Sequence, residues 1–229
     1  MLEHGFAMNG TGALPASLNL VEEINHRVIN EYAEAIAMLS IAAARAGGSV
    51  RDTLRGVADR LRDHAEAHRA LSAPAIDAAV NLADHIAAIC GAYTRATLSD
   101  RNIHLILKAD DIRVPADRGW RIGLIVAELL RNAARHGLKG KPGLIDVRIT
   151  DEGSYILCLV SDSGRSERDS APGRGQRLVR SLVREIGGAV RWSFTRRGNF
   201  AVVHFPAADA VPIVEATAAS AVWNVLAAQ

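Results

Sequence analysis

The first residue of this sequence that could do chemistry is His26, within the segment EINHRVINEYAEAIAML. Around it, apolar residues recur at alternating steps of three and four, which is typical of a helix with one apolar seam. The seam residues are Val21, Ile24, Val28, Tyr32, Ala35 and Leu39. Because an α-helix turns by about 100° per residue, His26 falls roughly opposite this seam and beside Asn30. We therefore expect a solvent-facing imidazole that could accept a phosphoryl group, although its position alone fits a solvated surface histidine better.

The second group of polar residues lies in the segment AELLRNAARHG. Glu128, Asn132 and His136 are spaced i, i+4 and i+8, on a face other than the apolar stripe of this predicted helix. A carboxylate and an amide one turn apart suit Mg²⁺, which takes few protein oxygens together with phosphate oxygens. The alternative is a solvated polar face, which is common on amphipathic helices.

The third group begins where the apolar strand ILCLVS ends, at Asp162 and Gly164 of the tripeptide DSG. A carboxylate in that position could accept a hydrogen bond from an exocyclic amine such as that of adenine. Further on, Gly173 and Gly175 open the helical segment QRLVRSLVREIGG, where backbone N–H groups could approach a phosphate. Each motif alone also fits a plain loop, but the three groups occur in order and on the elements that their chemistry requires.

Two helices must position His26. The pattern predicts one helix over residues 18–46, a stop at Gly47 and Gly48, and a second helix to about Leu71. His64 and His68 fall on the seam of the second helix, where we expect partly buried rings that form hydrogen bonds across the bundle. A hairpin of this kind cannot bury its seam well alone, so we expect a homodimer that forms a four-helix bundle.

A composition change near Pro74 separates the hairpin from an α+β region that alternates helices with a mixed, largely antiparallel sheet. We predict a flexible N-terminus over 1–17, the hairpin over 18–73, a catalytic domain over 76–206, and a tail over 207–229 that could form one more helix. The helices expected in the domain span 81–97, 117–136 and 176–186, and the strands span 103–108, 144–150, 155–161, 189–194 and 199–205.

The composition excludes several classes of function. A net charge of +2 and 4% aromatic residues argue against a nucleic-acid binder. No apolar run reaches the ~18 residues of a membrane span, and the first residues lack the features of a signal peptide. Cys90 and Cys158 lie far apart in apolar segments, which favours two buried thiols over a zinc site. We therefore expect a cytoplasmic protein.

The order of these motifs resembles the HWE histidine kinases and their near relatives, a branch of the two-component sensor kinases in the GHKL ATPase superfamily. His26, Arg27, Val28 and Asn30 match the phosphoacceptor pattern His-Arg-Val-x-Asn of that branch. The segment RLRDHAEAHRAL resembles the second hairpin helix, in which a histidine at the place of His68 is common. AELLRNAARHG resembles the N box, and DSG and GRGQRLVRSLVREIGG resemble the two glycine boxes.

The resemblance implies that the second domain is a Bergerat-type α/β sandwich that binds ATP and Mg²⁺. It also implies that His26 takes the γ-phosphoryl group and passes it to an aspartate on a response regulator receiver domain. The implied catalytic residues are His26 and Glu128, with Glu128 and Asn132 as the Mg²⁺ organisers. The implied nucleotide contacts are Asn132, Arg135, His136, Asp162, Gly164, Gly173 and Gly175.

Two alternatives to an ATP-dependent kinase stay open. Departures from the family pattern, such as Ser166 after DSG and Arg174 and Gln176 in the second glycine box, favour an adaptor that exchanges phosphate at His26 without ATP. A kinase core that only binds a regulatory partner is the other alternative. Because about seventeen residues precede the hairpin, we expect the input signal to come from a sensor partner, or the chain to act as a relay.

Overall fold

The computed structural model describes residues 16–72, 79–165 and 173–207 of the chain. Its N-terminal part is an antiparallel hairpin of α1 (Ala16–Arg45) and α2 (Gly48–Arg69). The turn between them is tight because Gly48 adopts a left-handed backbone, with φ of 55°, that glycine tolerates without strain. The predicted helical hairpin is therefore present. His26 lies about three turns after the start of α1.

The packing register of α1 differs from the predicted seam at one position. Val28, Tyr32, Ala35 and Leu39 are half-buried, as predicted, but Ile24 is 51% exposed and Asn25 is only 8% exposed. Asn25 also precedes Val28 by three residues, so it continues the same alternation of three and four. In α2, the most buried residues are Ala58 and Ala65, each 2% exposed, because small side chains allow the two helices to approach closely.

The second part of the described chain combines three helices with two sheets. Its helices are α3 (Leu82–Tyr93), α4 (Ala116–Asn132) and α5 (Arg174–Glu185). Single turns of π-helix extend α3 over Thr94–Leu98 and α4 over Ala133–Gly137. The strands are β1 (Ala79–Asn81), β2 (Ile103–Ala109), β3 (Arg113–Pro115), β4 (Gly143–Asp151), β5 (Tyr155–Asp162), β6 (Ala189–Thr195) and β7 (Gly198–Pro206).

The main sheet has the strand order β2-β4-β5-β7-β6, in which β2 and β4 are parallel and the other pairs are antiparallel. Alternate residues of its central strands face the helices and are almost fully buried, which the period of two in a strand requires. These residues are Ile145, Val147, Ile149, Ile156, Cys158, Val160, Ala201, Val203 and Phe205. The fold is the predicted α+β arrangement of a helical hairpin followed by an α/β sandwich, and the sheet is mixed as expected. The short antiparallel pair β1–β3 was not predicted.

The end of α2 is joined to the sandwich. Leu71 packs against the sandwich core, and its carbonyl accepts a hydrogen bond of 2.8 Å from the indole Nε1 of Trp120, which is 1% exposed. On the side of α3, Arg95 lies 3.7 Å from Asp63, in an exposed ion pair that adds little stability. The hairpin therefore meets the sandwich along α3 and its π-turn, which pack beside α2, and through the hydrogen bond from the buried indole to Leu71.

Replacing Trp120 with phenylalanine is expected to lower the free energy of unfolding by about 1–3 kcal/mol, because the carbonyl of Leu71 loses its donor and a cavity opens. Denaturant unfolding followed by circular dichroism would measure this loss. Trp192→Phe is the matched control, since that ring is half-buried on β6 beside Arg180. Equal unfolding midpoints for the two variants would contradict the importance of the Trp120 contact.

Several predicted features lie outside the described residues. These are most of the predicted N-terminal segment over 1–17, the boundary at Pro74, and the tail after residue 207 with its possible helix around Trp223. Within the described ranges, no helix combines the length and apolar character needed to cross a bilayer. Both cysteines are buried free thiols, with Cys90 on α3 and Cys158 on β5.

Candidate active site

His26 is exposed on α1, as the helical spacing predicted. It lies about 160° around the helix from Val28, which packs toward α2. Asn30, one turn further on, is exposed as well, whereas Asn25, the residue before the histidine, is turned into the hairpin. The imidazole of His26 therefore lies on the outside of the hairpin, because the opposite face of α1 packs against α2.

Glu128 lies on α4, whose opposite stripe of apolar residues is buried in the sandwich core. The residue is only 7% exposed, and its Oε2 accepts a hydrogen bond of 2.7 Å from Arg131, one turn further on. Burial raises the pKa of the Glu128 carboxyl, while the nearby cations of Arg131 and His136 oppose that rise. Burial therefore disfavours the ionised form of the Glu128 carboxyl, and its neighbours Arg131 and His136 favour that form.

The first turn of α5 lies directly against this part of α4. A Cβ added at Gly175 would stand 2.0 Å from Oε1 of Glu128 and 3.3 Å from Nδ2 of Asn132. Only glycine allows this approach, so the predicted glycine motif and the predicted Glu128–Asn132 pair do meet in the fold. The Nδ2 atom of Asn132 is buried and has no hydrogen-bond partner among the described residues.

Asp162 forms a second cluster at the end of β5. Its Oδ1 accepts hydrogen bonds of 2.8 Å from the backbone N–H of Gly164 and 2.9 Å from Nδ2 of Asn199. The backbone of Gly137 packs on the carboxylate, since a Cβ there would stand 2.3 Å from Oδ2. Burial raises the pKa of Asp162, and the two hydrogen bonds oppose that rise. Both of these hydrogen bonds go to Oδ1, and the backbone of Gly137 packs against Oδ2.

These two clusters have the donors and acceptors that a nucleotide requires. Asp162 Oδ2 and the buried Oδ1 of Asn199, which has no described partner, could accept hydrogen bonds from an exocyclic amine. Glu128 and Asn132 supply oxygens one turn apart and face the N-terminus of α5, which favours an anion. Among the described residues, no group of three or more His, Cys, Asp or Glu side chains could hold a metal ion. A Mg²⁺ ion would fit here only with phosphate oxygens completing its coordination.

The remaining predicted site residues contact the clusters less directly. Arg135 and His136 are exposed on the π-turn after α4, and His136 is close enough to influence the Glu128 pKa. Gly164 is held near Gly137, whose carbonyl carbon would lie 2.3 Å from an added Cβ. Gly173 precedes α5, and no atom lies within 4 Å of a Cβ built there. The structure does not bring Gly173 into contact with the other predicted residues.

Three residues of the clusters were not singled out from the sequence. Asn199 and Gly137 contact Asp162, and Arg131 contacts Glu128. The spacing of Arg131 from Glu128, three residues on one helix, was a usable signal for an ion pair. Asn199 had no such signal, because it reaches Asp162 only through the antiparallel register of β5 and β7, which places the two residues opposite each other.

Comparison with known sequence families also divides the chain into two parts, with the boundary after α3 and its π-turn. Residues 23–97 match the histidine kinase family HisKA_2, and residues 101–201 match the histidine kinase-like ATPase domain HATPase_c_2. Most of the helical hairpin lies within the first match and most of the main sheet within the second. The chain therefore carries both domains of the histidine kinase family, as the motifs predicted.

Two relatives extend this comparison. The chain is 30% identical over 193 residues to blue-light-activated histidine kinase 2 of Erythrobacter litoralis, covering 80% of this chain and 55% of that protein. It is 26% identical over 179 residues to the sensor histidine kinase PdtaS of Mycolicibacterium smegmatis, covering 74% of this chain and 36% of that protein. The chain thus spans about half, or less, of the length of these relatives.

Solved structures share the fold. The histidine kinase domain of the Erythrobacter litoralis EL346 blue-light-activated kinase matches with a TM-score of 0.55 and 22% identity, covering 76% of this chain and 96% of that domain. A bacterial phosphotransferase matches with a TM-score of 0.61 and 13% identity, covering 83% of this chain and 98% of that structure. At these identities the two matches support the fold alone.

Proposed function

We propose that this chain is the kinase core of a two-component system, in which ATP phosphorylates His26 and a response regulator aspartate then receives the phosphoryl group. The observation that carries the proposal is that α4 and its π-turn contact both clusters: Glu128 and Asn132 lie against Gly175, and Gly137 lies against Asp162. Both belong to one domain, and that domain is joined to the hairpin that presents His26.

In the proposed reaction, a neutral ring nitrogen of His26 attacks the γ-phosphorus of ATP, the bond to the β,γ-bridging oxygen breaks, and ADP leaves. Asp162 would bind the adenine amine and so fix the base, while the N-terminus of α5 at Gly175 would favour the phosphate chain. Glu128 and Asn132 would hold Mg²⁺, which offsets phosphate charge when it is bound. The rest of the catalysis is positioning, because phosphoryl transfer requires little covalent chemistry from the protein.

The proposal is tested by incubating the chain with γ-labelled ATP and Mg²⁺. We expect protein-bound label that is lost in acid and retained in base, the behaviour of a phosphohistidine. Addition of a receiver domain should then move the label to that domain. Absence of both protein-bound label and nucleotide binding would contradict the ATP-dependent kinase.

An adaptor that exchanges phosphate at His26 without ATP is the second candidate. One feature favours it: Arg131 already forms an ion pair with Glu128, the carboxylate proposed to hold Mg²⁺. The fold likeness to a bacterial phosphotransferase is compatible with this role. An adaptor would take label from a phosphorylated receiver domain and would bind no nucleotide in an equilibrium titration.

We also propose that the hairpin forms a homodimer. Leu20, Ile24 and Met38 are each more than half exposed, and they lie within about 40° of one another around α1. This face is separate from the one that packs on α2, and it lies about 120–160° from His26. Pairing two such faces would bury the apolar side chains and leave both histidines accessible.

Replacing Met38 with glutamate is expected to convert the dimer into a monomer, because one carboxylate from each protomer would be buried in the proposed interface. Light scattering coupled to size-exclusion chromatography would report the change in mass. Ser40→Glu is the matched control, since Ser40 is exposed on another face of the same helix. A dimer that survives Met38→Glu together with Ile24→Glu would show that the interface lies elsewhere.

We further propose a reducing, cytoplasmic location and a separate sensor partner upstream of the hairpin. The first is supported by the two free thiols, which form no disulfide. The second is supported by the 26% identical relative that is named a sensor histidine kinase.

A further inference from the structure

The side chain of Asn25, one residue before the proposed phosphoacceptor, is bonded to the end of α2 on both of its polar atoms. Its Nδ2 donates to the backbone carbonyl of His68 at 2.7 Å and to Oγ of Ser72 at 3.1 Å. Its Oδ1 lies 2.7 Å from Nδ1 of the His68 ring. The last carbonyls of a helix have no partner within that helix, so Asn25 acts as a cap for α2 supplied by α1.

The bonding pattern determines the tautomer of His68. Because Nδ2 of Asn25 donates twice, its Oδ1 is the acceptor, and Nδ1 of His68 must carry the proton that it donates. Tyr32 packs on the same ring, with centroids 5.6 Å apart. Burial, and then the cations of Arg131 and His64, lower the pKa of His68, which keeps the ring neutral near pH 7.

The contacts between Asn25 and the end of α2 continue into the ATPase domain. Leu71 lies between His68 and Ser72, and its carbonyl is the one that accepts the hydrogen bond from Trp120 on α4. Trp120 and Glu128 are on the same helix, eight residues apart, and both side chains are buried. A continuous series of hydrogen bonds and rigid helix thus connects the turn of α1 that carries His26 with the helix that carries Glu128 and Asn132.

We propose that Asn25 and His68 are positioning residues for phosphoryl transfer, which hold the His26 turn at a fixed rotation and height relative to the ATP site. This inference rests on the proposed kinase function and deepens it. Transfer in line requires the ring nitrogen and phosphorus to be held close to their reacting distance, and a displacement of about 1 Å can lower a rate by up to about 100-fold.

The test compares Asn25→Leu and His68→Phe, which remove the hydrogen bonds but retain side-chain volume. Both are expected to lower the rate of His26 phosphorylation at saturating ATP by about 10- to 100-fold, with KM for ATP nearly unchanged. Phosphoramidate, a small phosphoryl donor that needs no ATP site, should label both variants as fast as the wild type. This second readout separates lost positioning from lost folding or lost reactivity of the ring.

Two further variants sharpen the comparison. His68→Asn should restore most of the ATP-dependent rate, because an asparagine Nδ2 can occupy nearly the position of the imidazole Nδ1 and donate to Asn25. His64→Phe is the matched control, since His64 stacks on the same Tyr32 ring, with centroids 6.2 Å apart, and should retain the wild-type rate.

The outcomes distinguish the inference from the proposed function. A wild-type chain that ATP does not label contradicts the proposed function and, with it, this inference. A labelled wild type with an unchanged rate in Asn25→Leu contradicts the inference alone. An equal loss of labelling with ATP and with phosphoramidate also contradicts the inference alone. A positioning residue should affect only labelling by the donor that the ATP site holds.

Discussion

Replacement of His26 with glutamine is expected to reduce ATP-dependent labelling of the chain to the assay background. The imidazole would itself form the new bond to phosphorus, and loss of a nucleophile costs on the order of 10⁶-fold in enzymes that use covalent catalysis. Because His26 is exposed on α1, the change should leave the unfolding midpoint close to that of the wild type. Acid-labile label after incubation with γ-labelled ATP measures the effect.

The matched control for that experiment is His64→Gln, a half-buried histidine in the same hairpin, which should keep its label. Nucleotide binding should also be retained in His26→Gln, since Asp162 and Glu128 are unchanged. Label that persists in His26→Gln at the wild-type level would show that another residue is the acceptor. His68 would then be the next histidine to replace.

The second large effect is expected at Asp162, where asparagine should weaken nucleotide binding and at the same time stabilise the fold. The carboxylate would be a charged acceptor for the adenine amine, and a hydrogen bond to a charged group is worth about 1.5–3 kcal/mol, or about 10- to 100-fold in affinity. Asparagine keeps an acceptor for Gly164 and Asn199 but carries no charge. Equilibrium titration with ATP measures the loss of affinity.

The gain in stability follows from the direction of the Asp162 pKa shift. Burial raises this pKa above its ordinary value of 3.8, so the folded state binds the proton more tightly than the unfolded state. The cost of the buried charge is absent below pH 3.8, grows as the pH rises from 3.8 toward the raised pKa of Asp162, and is complete above that pKa. Asp162→Asn should therefore raise the Tm at about pH 7 and approach the wild-type Tm toward acid pH.

Asp146→Asn is the control for the Asp162 experiment. Asp146 is a largely buried carboxylate on β4, the neighbouring strand, but it pairs with Arg148 rather than facing the proposed adenine site. Its replacement should remove an ion pair and leave ATP affinity unchanged. A Tm of Asp162→Asn below that of the wild type at neutral pH would contradict the interpretation that the buried charge of Asp162 destabilises the fold.

The order of helices and strands could be predicted because local patterns determine it. The two hairpin helices and the strands β2, β4, β5, β6 and β7 lie within a few residues of their predicted positions. The register of α1 was harder, since Ile24 and Asn25 both continue a three-and-four alternation with Val28. The apolar residue was the natural choice for the seam, yet the structure buries the amide because His68 and Ser72 supply its partners.

The site could be predicted only where its residues share one element or one motif. Glu128 and Asn132 are neighbours on one helix, so their spacing was sufficient. The contacts that join different elements, such as Gly175 on Glu128 and Asn199 on Asp162, depend on how α5 and β7 pack, and no local pattern encodes that. Arg131 was visible in the sequence, but its role follows only from its closeness to both Glu128 and His68.

The two buried cysteines give the ATPase domain a built-in reporter of its own opening. Burial raises the pKa of both Cys90 and Cys158 to about 12, so almost no reactive thiolate exists near neutral pH while the domain is closed. A thiol reagent would modify them only when the core that contains both cysteines opens. The rate of modification in the native chain would therefore report how often the core opens. Nucleotide binding should slow this modification.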